Sequence, residues 1–165
     1  MIEAKLFESE RVYVRSFRQE DTLIFLAYRQ DKEIERYQGW KDYSLKDAQD
    51  FVEWACNSSI ASGKTQLALV LKESNIMFGD IYLSFEETHI DLGYTCASAF
   101  QKKGYMTEIL NVVLPQLLQT YKKRIRTEID VRNTESIRLC ERLGFRHIEV
   151  VDAYLIMEKG VSSVV

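Results

Sequence analysis

Between Asp91 and Leu110 the chain changes its hydrophobic period, and that change dictates a strand, a short loop and a helix in that order. Ile90, Leu92, Tyr94 and Cys96 alternate with Asp91, Gly93 and Thr95, the pattern of a half-buried strand. Met106, Ile109, Leu110, Val113 and Leu117 then recur at helical spacing, so a helix begins near Gly104. The connecting run Gln101, Lys102, Lys103, Gly104, Tyr105, Met106 carries two cations and a glycine. Placed at a helix start, it can aim free backbone N–H groups and the positive end of the helix at a phosphate. The plainer reading is an ordinary turn, because Lys-Lys-Gly also precedes helices that bind nothing.

The remaining segments build around this unit. Arg11 to Phe17 alternates as a first strand. Asp21 precedes an apolar run and is placed to cap a short helix, and Ser44 with Asp47 forms a capping pair for a longer one ending near Asn57, whose Leu45, Ala48, Phe51, Val52 and Ala55 share a face. Gln66 to Leu71 is almost continuously apolar, as a strand covered on both faces should be. Met77 to Phe85 returns as its neighbour, with Gly79 marking a bulge or a close backbone approach. With the central strand this makes an antiparallel meander. Pro115, the only proline, predicts a kink or an early break in the helix that starts at Gly104. Ile125, Thr127, Ile129 and Val131 alternate in a strand that follows this helix, the crossover that parallel neighbours require. Thr134 to Leu143 reads as a helix stopped by Gly144, and His147 to Val151 with Ala153 to Glu158 as a closing hairpin. Asp31 to Tyr43 has no clean period; its acids and aromatics are either an acceptor grip or a cluster covering the core.

At 165 residues and 46% hydrophobic content, the chain is long enough for one core, and residues 1–165 read as a single domain. A net charge of −3 supplies no global attraction for nucleic acid. Only the basic run from Lys122 to Arg126 argues otherwise, and no nucleic-acid partner is expected. Cys56, Cys96 and Cys140 are widely spaced and the histidines, His89 and His147, show no ligand spacing, so reduced thiols, a cytoplasmic location and no metal are expected. The absence of a long apolar run predicts neither export nor a membrane span.

Two stretches resemble the GNAT superfamily of acetyl-CoA-dependent N-acetyltransferases. Gln101 and Gly104 fit its motif A, Gln/Arg-x-x-Gly-x-Gly/Ala, with Met106 standing where a small residue is usual. Asn133 to Phe145 is similar to the motif B helix with its Leu-Gly-Phe ending. Leu92-Gly93-Tyr94 before the loop, and Gly104-Tyr105 followed by Thr107-Glu108 after it, look most like the ribosomal-protein alanine acetyltransferase branch; the resemblance runs from Met77 to Glu158. It implies an α+β fold: a mostly antiparallel central sheet with one splayed parallel strand pair, flanked by helices. It implies that acetyl-CoA lies in the splay, its pantetheine arm pairing with backbone groups of Tyr94, Thr95 and Cys96 as an added strand does. The pyrophosphate then meets the loop from Gln101 to Met106 and Thr107, with Lys102 and Lys103 adding charge. Asn133 caps its helix and, by the resemblance, also contacts the cofactor.

Acetyl transfer needs a neutral amine and a proton for the departing thiolate, while a free amine is mostly protonated at neutral pH. Asp91, at the start of the central strand, is the first candidate base, with Glu33, Glu35 and Glu87 as rivals. The family often places a tyrosine acid four residues before the glycine of Leu-Gly-Phe, and here Cys140 holds that position. A thiol can donate that proton, yet a cysteine on an apolar helix face also packs inertly; Tyr94, Tyr105 or water then takes its place. The expected reaction is direct attack of an amine on acetyl-CoA. A protein N-terminus is the favoured acceptor, and a polyamine or aminoglycoside the rival. A non-catalytic acyl-CoA-binding module is the other class. A homodimer is possible, since such families often pair.

Overall fold

A computed structural model describes residues 4–160. Eight strands form one sheet: β1 (Phe7–Glu8), β2 (Val12–Ser16), β3 (Lys64–Leu71), β4 (Met77–Phe85), β5 (His89–Cys96), β6 (Arg124–Asp130), β7 (Arg146–Val151) and β8 (Tyr154–Lys159). Their spatial order is β1-β2-β3-β4-β5-β6-β8-β7. Every neighbouring pair is antiparallel except β5 and β6. The helices are α1 (Thr22–Arg29), α2 (Lys32–Glu35), α3 (Leu45–Asn57), α4 (Tyr105–Tyr121) and α5 (Thr134–Arg142). The mixed fold with one parallel pair therefore follows the sequence reading. Among the described residues, no helix is long and apolar enough to cross a membrane.

Each face of the sheet has its own core. On one, Ile109, Leu110, Val113, Leu114 and Leu117 of α4 pack against Leu67, Leu69, Ile81, Leu83, Ile90 and Ile125, with Cys140 and Leu143 of the α5 region closing one side. Full burial of each such aliphatic chain is worth roughly 1.5–3 kcal/mol. On the other face, Phe25 and Tyr28 of α1 meet Ala48, Val52 and Ala55 of α3 over Ala68 and Val70. β3 is buried along almost its whole length because both layers cover it. Phe25 stacks on Phe51 at 4.8 Å, and Arg29 lies 3.6 Å above the Trp40 ring. Trp40 Nε1 also donates to the Arg29 carbonyl at 2.9 Å, so Trp40 and Tyr43 cover this core, whereas Tyr37 does not join it.

Three local expectations change. The α4 helix is not interrupted at Pro115 but continues to Tyr121. Pro115 and Asn111 are both exposed, so the carbonyl that loses its N–H partner faces water, while Val113, Leu114 and Leu117 hold the turn to the sheet. Asp21 does not use its side chain to cap α1. Its carboxylate instead takes both Arg15 Nη1, at 2.8 Å, and Nη2, at 2.9 Å, in a buried fork. Leu45, assigned by period to the inner face of α3, is exposed; Ala48, Val52 and Ala55 alone carry the buried stripe. The capping box of Ser44 and Asp47 is present, with Asp47 N donating to Ser44 Oγ at 3.0 Å and Ser44 N to Asp47 Oδ2 at 3.0 Å.

The splay that positions the site is visible in the register. β5 and β6 pair only at His89 with Arg124, Ile90 with Ile125 and Asp91 with Arg126. Beyond Asp91, β5 stays bonded to β4 as far as Cys96, while β6 stays bonded to β8 as far as Asp130. The two strands thus part, and the inner edge of β5 is left without a strand partner from Leu92 onward.

Candidate active site

A cleft of about 460 Å³ opens between the distal half of β5, the loop before α4, the inner face of α5 and the segment 33–38. Its floor is backbone. A Cβ at Gly79 of β4 would meet the Thr95 carbonyl oxygen at 2.2 Å, and Ala97 N donates to Phe78 O at 2.8 Å. Thr95 and Ala97 therefore turn their backbone toward β4. By alternation, Tyr94 and Cys96 turn theirs to the open edge. Of the three residues expected to offer backbone groups, Thr95 lines the cleft with its carbonyl aimed the other way. The close approach foreseen at Gly79 is the reason glycine stands there.

The loop before α4 is shaped for an anion. Lys102 (φ 62°) and Gly104 (φ 81°) are both left-handed and lie either side of Lys103, an arrangement that turns successive amides toward one point. The first intrahelical bond runs from Glu108 N to Gly104 O at 3.0 Å, so the N–H groups of Tyr105, Met106 and Thr107 precede the ladder. The run of available amides starts later than the sequence predicts: Gln101 N already donates to Ser98 O at 3.3 Å, and Gln101 Nε2 to Cys96 O at 2.9 Å. Gln101 thus ties the loop to the strand. From outside, Glu108 braces the first turn, accepting from Arg11 Nε at 2.7 Å, Arg11 N at 2.8 Å and Ser9 Oγ at 2.5 Å. Arg11 also lies 4.5 Å over the Tyr105 ring.

The α5 wall is fixed at both ends. Asn133 Oδ1 accepts from Ser136 N at 3.3 Å as the N-cap. At the other end Gly144 (φ 92°) permits the paired bonds Gly144 N to Glu141 O, 3.0 Å, and Phe145 N to Cys140 O, 2.9 Å, while Lys159 Nζ donates to Leu143 O at 2.7 Å. Across this wall Tyr94 Oη sits 2.6 Å from Ser136 Oγ and 3.2 Å from Cys140 Sγ. Tyr94 and Ser136 line the cleft; Cys140 lies behind them, fully buried. Burial pushes the Cys140 thiol up to about 11, and burial together with the neighbouring Asp80 carries the Cys96 thiol to about 12. Burial, then Cys140, raises the Tyr94 phenol well above its ordinary value. All three groups hold their protons at neutral pH.

The structure brings together Tyr94, Thr95, Cys96, Gln101, Lys102, Gly104, Tyr105, Met106, Thr107 and Asn133 around the cleft, but not Lys103, Asp91 or Cys140. Asp91 lies at the closed vertex of the splay, with His89 Nε2 3.1 Å from its Oδ1. Glu33 lines the cleft, whereas Glu35 is buried and accepts from Lys32 Nζ and Asp42 N. One step beyond Arg126 on the same face of β6 stands Glu128, exposed and without an ion pair among the described residues. By register it is level with Gly93, where the strands have begun to part, but it does not line the cleft. The alternation of Ile125, Thr127 and Ile129 puts Arg126 and Glu128 on the other face, but only the sheet order brings Glu128 level with Gly93. Ser136 was legible at one helical turn from Asn133.

Segment 31–43 bridges the opening. Ser98 Oγ donates to Asp31 Oδ2 at 2.7 Å on the β5 side. On the β6 side the Tyr37 ring lies between Arg36, at 5.3 Å, and Arg132, at 5.6 Å. Arg132 is held by Asp130 through Nε at 3.0 Å and Nη2 at 2.8 Å; those bonds keep the Asp130 carboxyl at about 2. Among the described residues no group of three or more His, Cys, Asp or Glu side chains is placed to hold a metal.

The family model described as the acetyltransferase (GNAT) domain matches residues 11–146. A Bacillus licheniformis protein named uncharacterized N-acetyltransferase p20 is 21% identical over 143 residues, which cover 84% of this chain and 80% of that one. Among solved structures, a GNAT-family acetyltransferase from Bacillus anthracis superposes with a TM-score of 0.80 at 21% identity, covering 93% of this chain and 96% of its own. The ribosomal α-N-protein acetyltransferase RimL, in complex with coenzyme A, superposes with a TM-score of 0.79 at 13% identity over 94% of this chain and 97% of its own.

Proposed function

Because the chain belongs to the GNAT acetyltransferase family, we propose that it moves the acetyl group of acetyl-CoA onto a primary amine, with a protein N-terminus as the favoured acceptor. The observation that carries the reading is the parting of β5 and β6 after Asp91 and Arg126, directly beside a loop of left-handed backbone and free helix-start amides. The residues fit the cofactor: the amides of Tyr105, Met106 and Thr107 would hold the pyrophosphate, and the edge groups of Tyr94 and Cys96 the amide-bearing arm. Bound there, acetyl-CoA supplies an activated acetyl thioester.

The protein's own groups then divide the proton work. An ammonium cannot attack, so a carboxylate must take its proton, directly or through water. Glu128, exposed and level with the bare Gly93 on the face opposite α4 and α5, is our candidate for this although it stands outside the cleft lining, and Glu33, which lines the cleft, is its rival. Asp91, engaged by His89, is the alternative. On the other side Ser136 and Tyr94 present hydroxyls to the cleft and can hydrogen-bond a departing sulfur, and Cys140 supports Tyr94 from behind. Orientation between these two sides supplies much of the rate.

The acceptor preference draws on RimL, a fold neighbour named as an α-N-protein acetyltransferase. A panel of amines, comprising peptides with free N-termini, polyamines and an aminoglycoside, incubated with acetyl-CoA and read by mass spectrometry, tests it. A gain of one acetyl group on peptide N-termini is expected. Acetylation of the small amines alone would replace the acceptor class, and cofactor binding without any product would favour a non-catalytic module.

A further inference from the structure

Arg11 stands in the turn between β1 and β2, 97 residues before its partner Glu108 in the first turn of α4. Its backbone is fixed on two sides: Lys72 N donates to Arg11 O at 2.8 Å, and Arg11 N donates to Glu108 Oε2 at 2.8 Å. From that anchor the guanidinium reaches three positions of the loop and helix start. Nε donates to Glu108 Oε1 at 2.7 Å, the guanidinium lies 4.5 Å from the centre of the Tyr105 ring, and Nη2 is 3.4 Å from where a Cβ on Gly104 would sit. Arg11 does not line the cleft, so it acts on the loop from behind. Burial opposes ionisation of Glu108, but the bonds from Ser9 and Arg11 hold its carboxyl below the ordinary value, and it is charged at neutral pH. An ion pair this exposed adds little to stability. A surface pair explains the contact with Glu108; it does not explain why the same guanidinium also packs on Gly104 and Tyr105.

A carboxylate at this place has two opposite effects. It suits the positive end of a helix, yet it competes for that end with any anion that the amides of Tyr105, Met106 and Thr107 would hold. One helical turn spans about 5.4 Å, inside the roughly 8 Å over which physiological salt leaves charges unscreened. We propose that Arg11 is a positioning residue for the donor: it cancels the charge of Glu108 beside the pyrophosphate site and holds Gly104 and Tyr105 in the shape that site needs. The inference rests on the acetyl-CoA reading above and deepens it by naming a residue outside the cleft on which donor affinity depends. The two partners are then not equivalent. Loss of Arg11 leaves a bare carboxylate beside the site, whereas loss of the Glu108 charge loosens the loop and removes the repulsion together.

The test is isothermal titration of acetyl-CoA into the full chain as wild type, Arg11→Met, Arg11→Lys, Glu108→Gln and the double variant Arg11→Met with Glu108→Gln. Arg11→Met should weaken binding by about tenfold, one decade in Kd. Glu108→Gln should weaken it by no more than about threefold, and the double variant should match Glu108→Gln, so that removing the acid restores part of the affinity lost with the arginine. Arg11→Lys keeps the charge but not the planar stacking, and should stay within about threefold of the wild type. Arg11 is exposed, so an unchanged thermal melt is expected. Should Arg11→Met be unstable, Arg11→Lys decides: affinity near the wild type supports the role of the charge, and a tenfold loss overturns it. Equal losses in Arg11→Met and Glu108→Gln, or wild-type affinity in Arg11→Met, overturn the inference and leave the acetyl-CoA reading standing. If the wild type does not bind acetyl-CoA, that reading fails and the inference falls with it.

Discussion

The two sides of the splay are made of different material. The proposed donor side is backbone: left-handed Lys102 and Gly104, the first amides of α4 and the open edge of β5. The proposed acceptor side is side chains drawn from distant segments, with Glu128 on β6, Tyr37 after α2 and Arg132 before α5. A backbone site depends on local conformation and tolerates side-chain change poorly only where a special φ is needed. A side-chain site depends on which residues the topology happens to gather. The first should therefore fail in binding when broken, and the second in turnover.

The sharpest break is Gly104→Val. A β-branched residue at φ 81° costs on the order of 1–3 kcal/mol in backbone strain and should disorder the amides proposed to hold the pyrophosphate. Acetyl-CoA affinity should fall by roughly a hundredfold or more, read by titration, a loss of about 3 kcal/mol. On the other side, Glu128→Gln should lower turnover by about a hundredfold at unchanged cofactor affinity, the usual size of a lost general base. Asp91→Asn should cost far less, and steady-state kinetics on the two variants decides between the carboxylates. If Asp91→Asn proves the more damaging, the base lies at the vertex.

Why one side was readable and the other was not follows from the same contrast. The strand, loop and helix from Asp91 to Leu110 announce themselves by a change of period, and Gly104 and Gly144 by the need for left-handed backbone. The parallel pairing of β5 and β6 follows from the intervening α4, a local rule of connection. Glu128 needed the sheet order, since only the pairing of Asp91 with Arg126 sets it level with Gly93. Tyr37 and Arg132 are nearly a hundred residues apart, and nothing in either neighbourhood points to the other. Asp21 reads as a cap because the competing partner, Arg15, lies in the preceding strand. Pro115 reads as a break because solvent exposure of its turn is a tertiary fact.

A smaller effect separates the hydroxyl pair from the thiol behind it. Ser136→Ala should reduce turnover by about tenfold, whereas Cys140→Ala should leave turnover near normal and cost about 1 kcal/mol of stability, because Cys140 is fully buried. Turnover assays and thermal melts on the same two variants check both halves. A large loss of turnover in Cys140→Ala with an unchanged melt would move the acid to the thiol.

The smallest effect is an alkaline one. The folded Cys140 and Cys96 thiols ionise at about 11 and about 12, while unfolded cysteine ionises near ~8.5. Below that lower value both states are protonated and the thiols contribute no pH dependence. Above it the unfolded chain releases protons that the folded one keeps, so stability declines progressively toward pH 11. Denaturant melts between pH 8 and 11 should show the decline, shallower in Cys140→Ala. At pH 8 both thiols should resist iodoacetamide in the folded protein.

The claim at the centre is that donor binding resides in backbone at the loop and β5, separable from the carboxylate across the splay. Isothermal titration of acetyl-CoA into the wild type, Gly104→Val and Glu128→Gln tests it without knowledge of the acceptor. Micromolar binding in the wild type, kept in Glu128→Gln and lost in Gly104→Val, is the predicted result. Binding absent from the wild type, or undiminished in Gly104→Val, would contradict it.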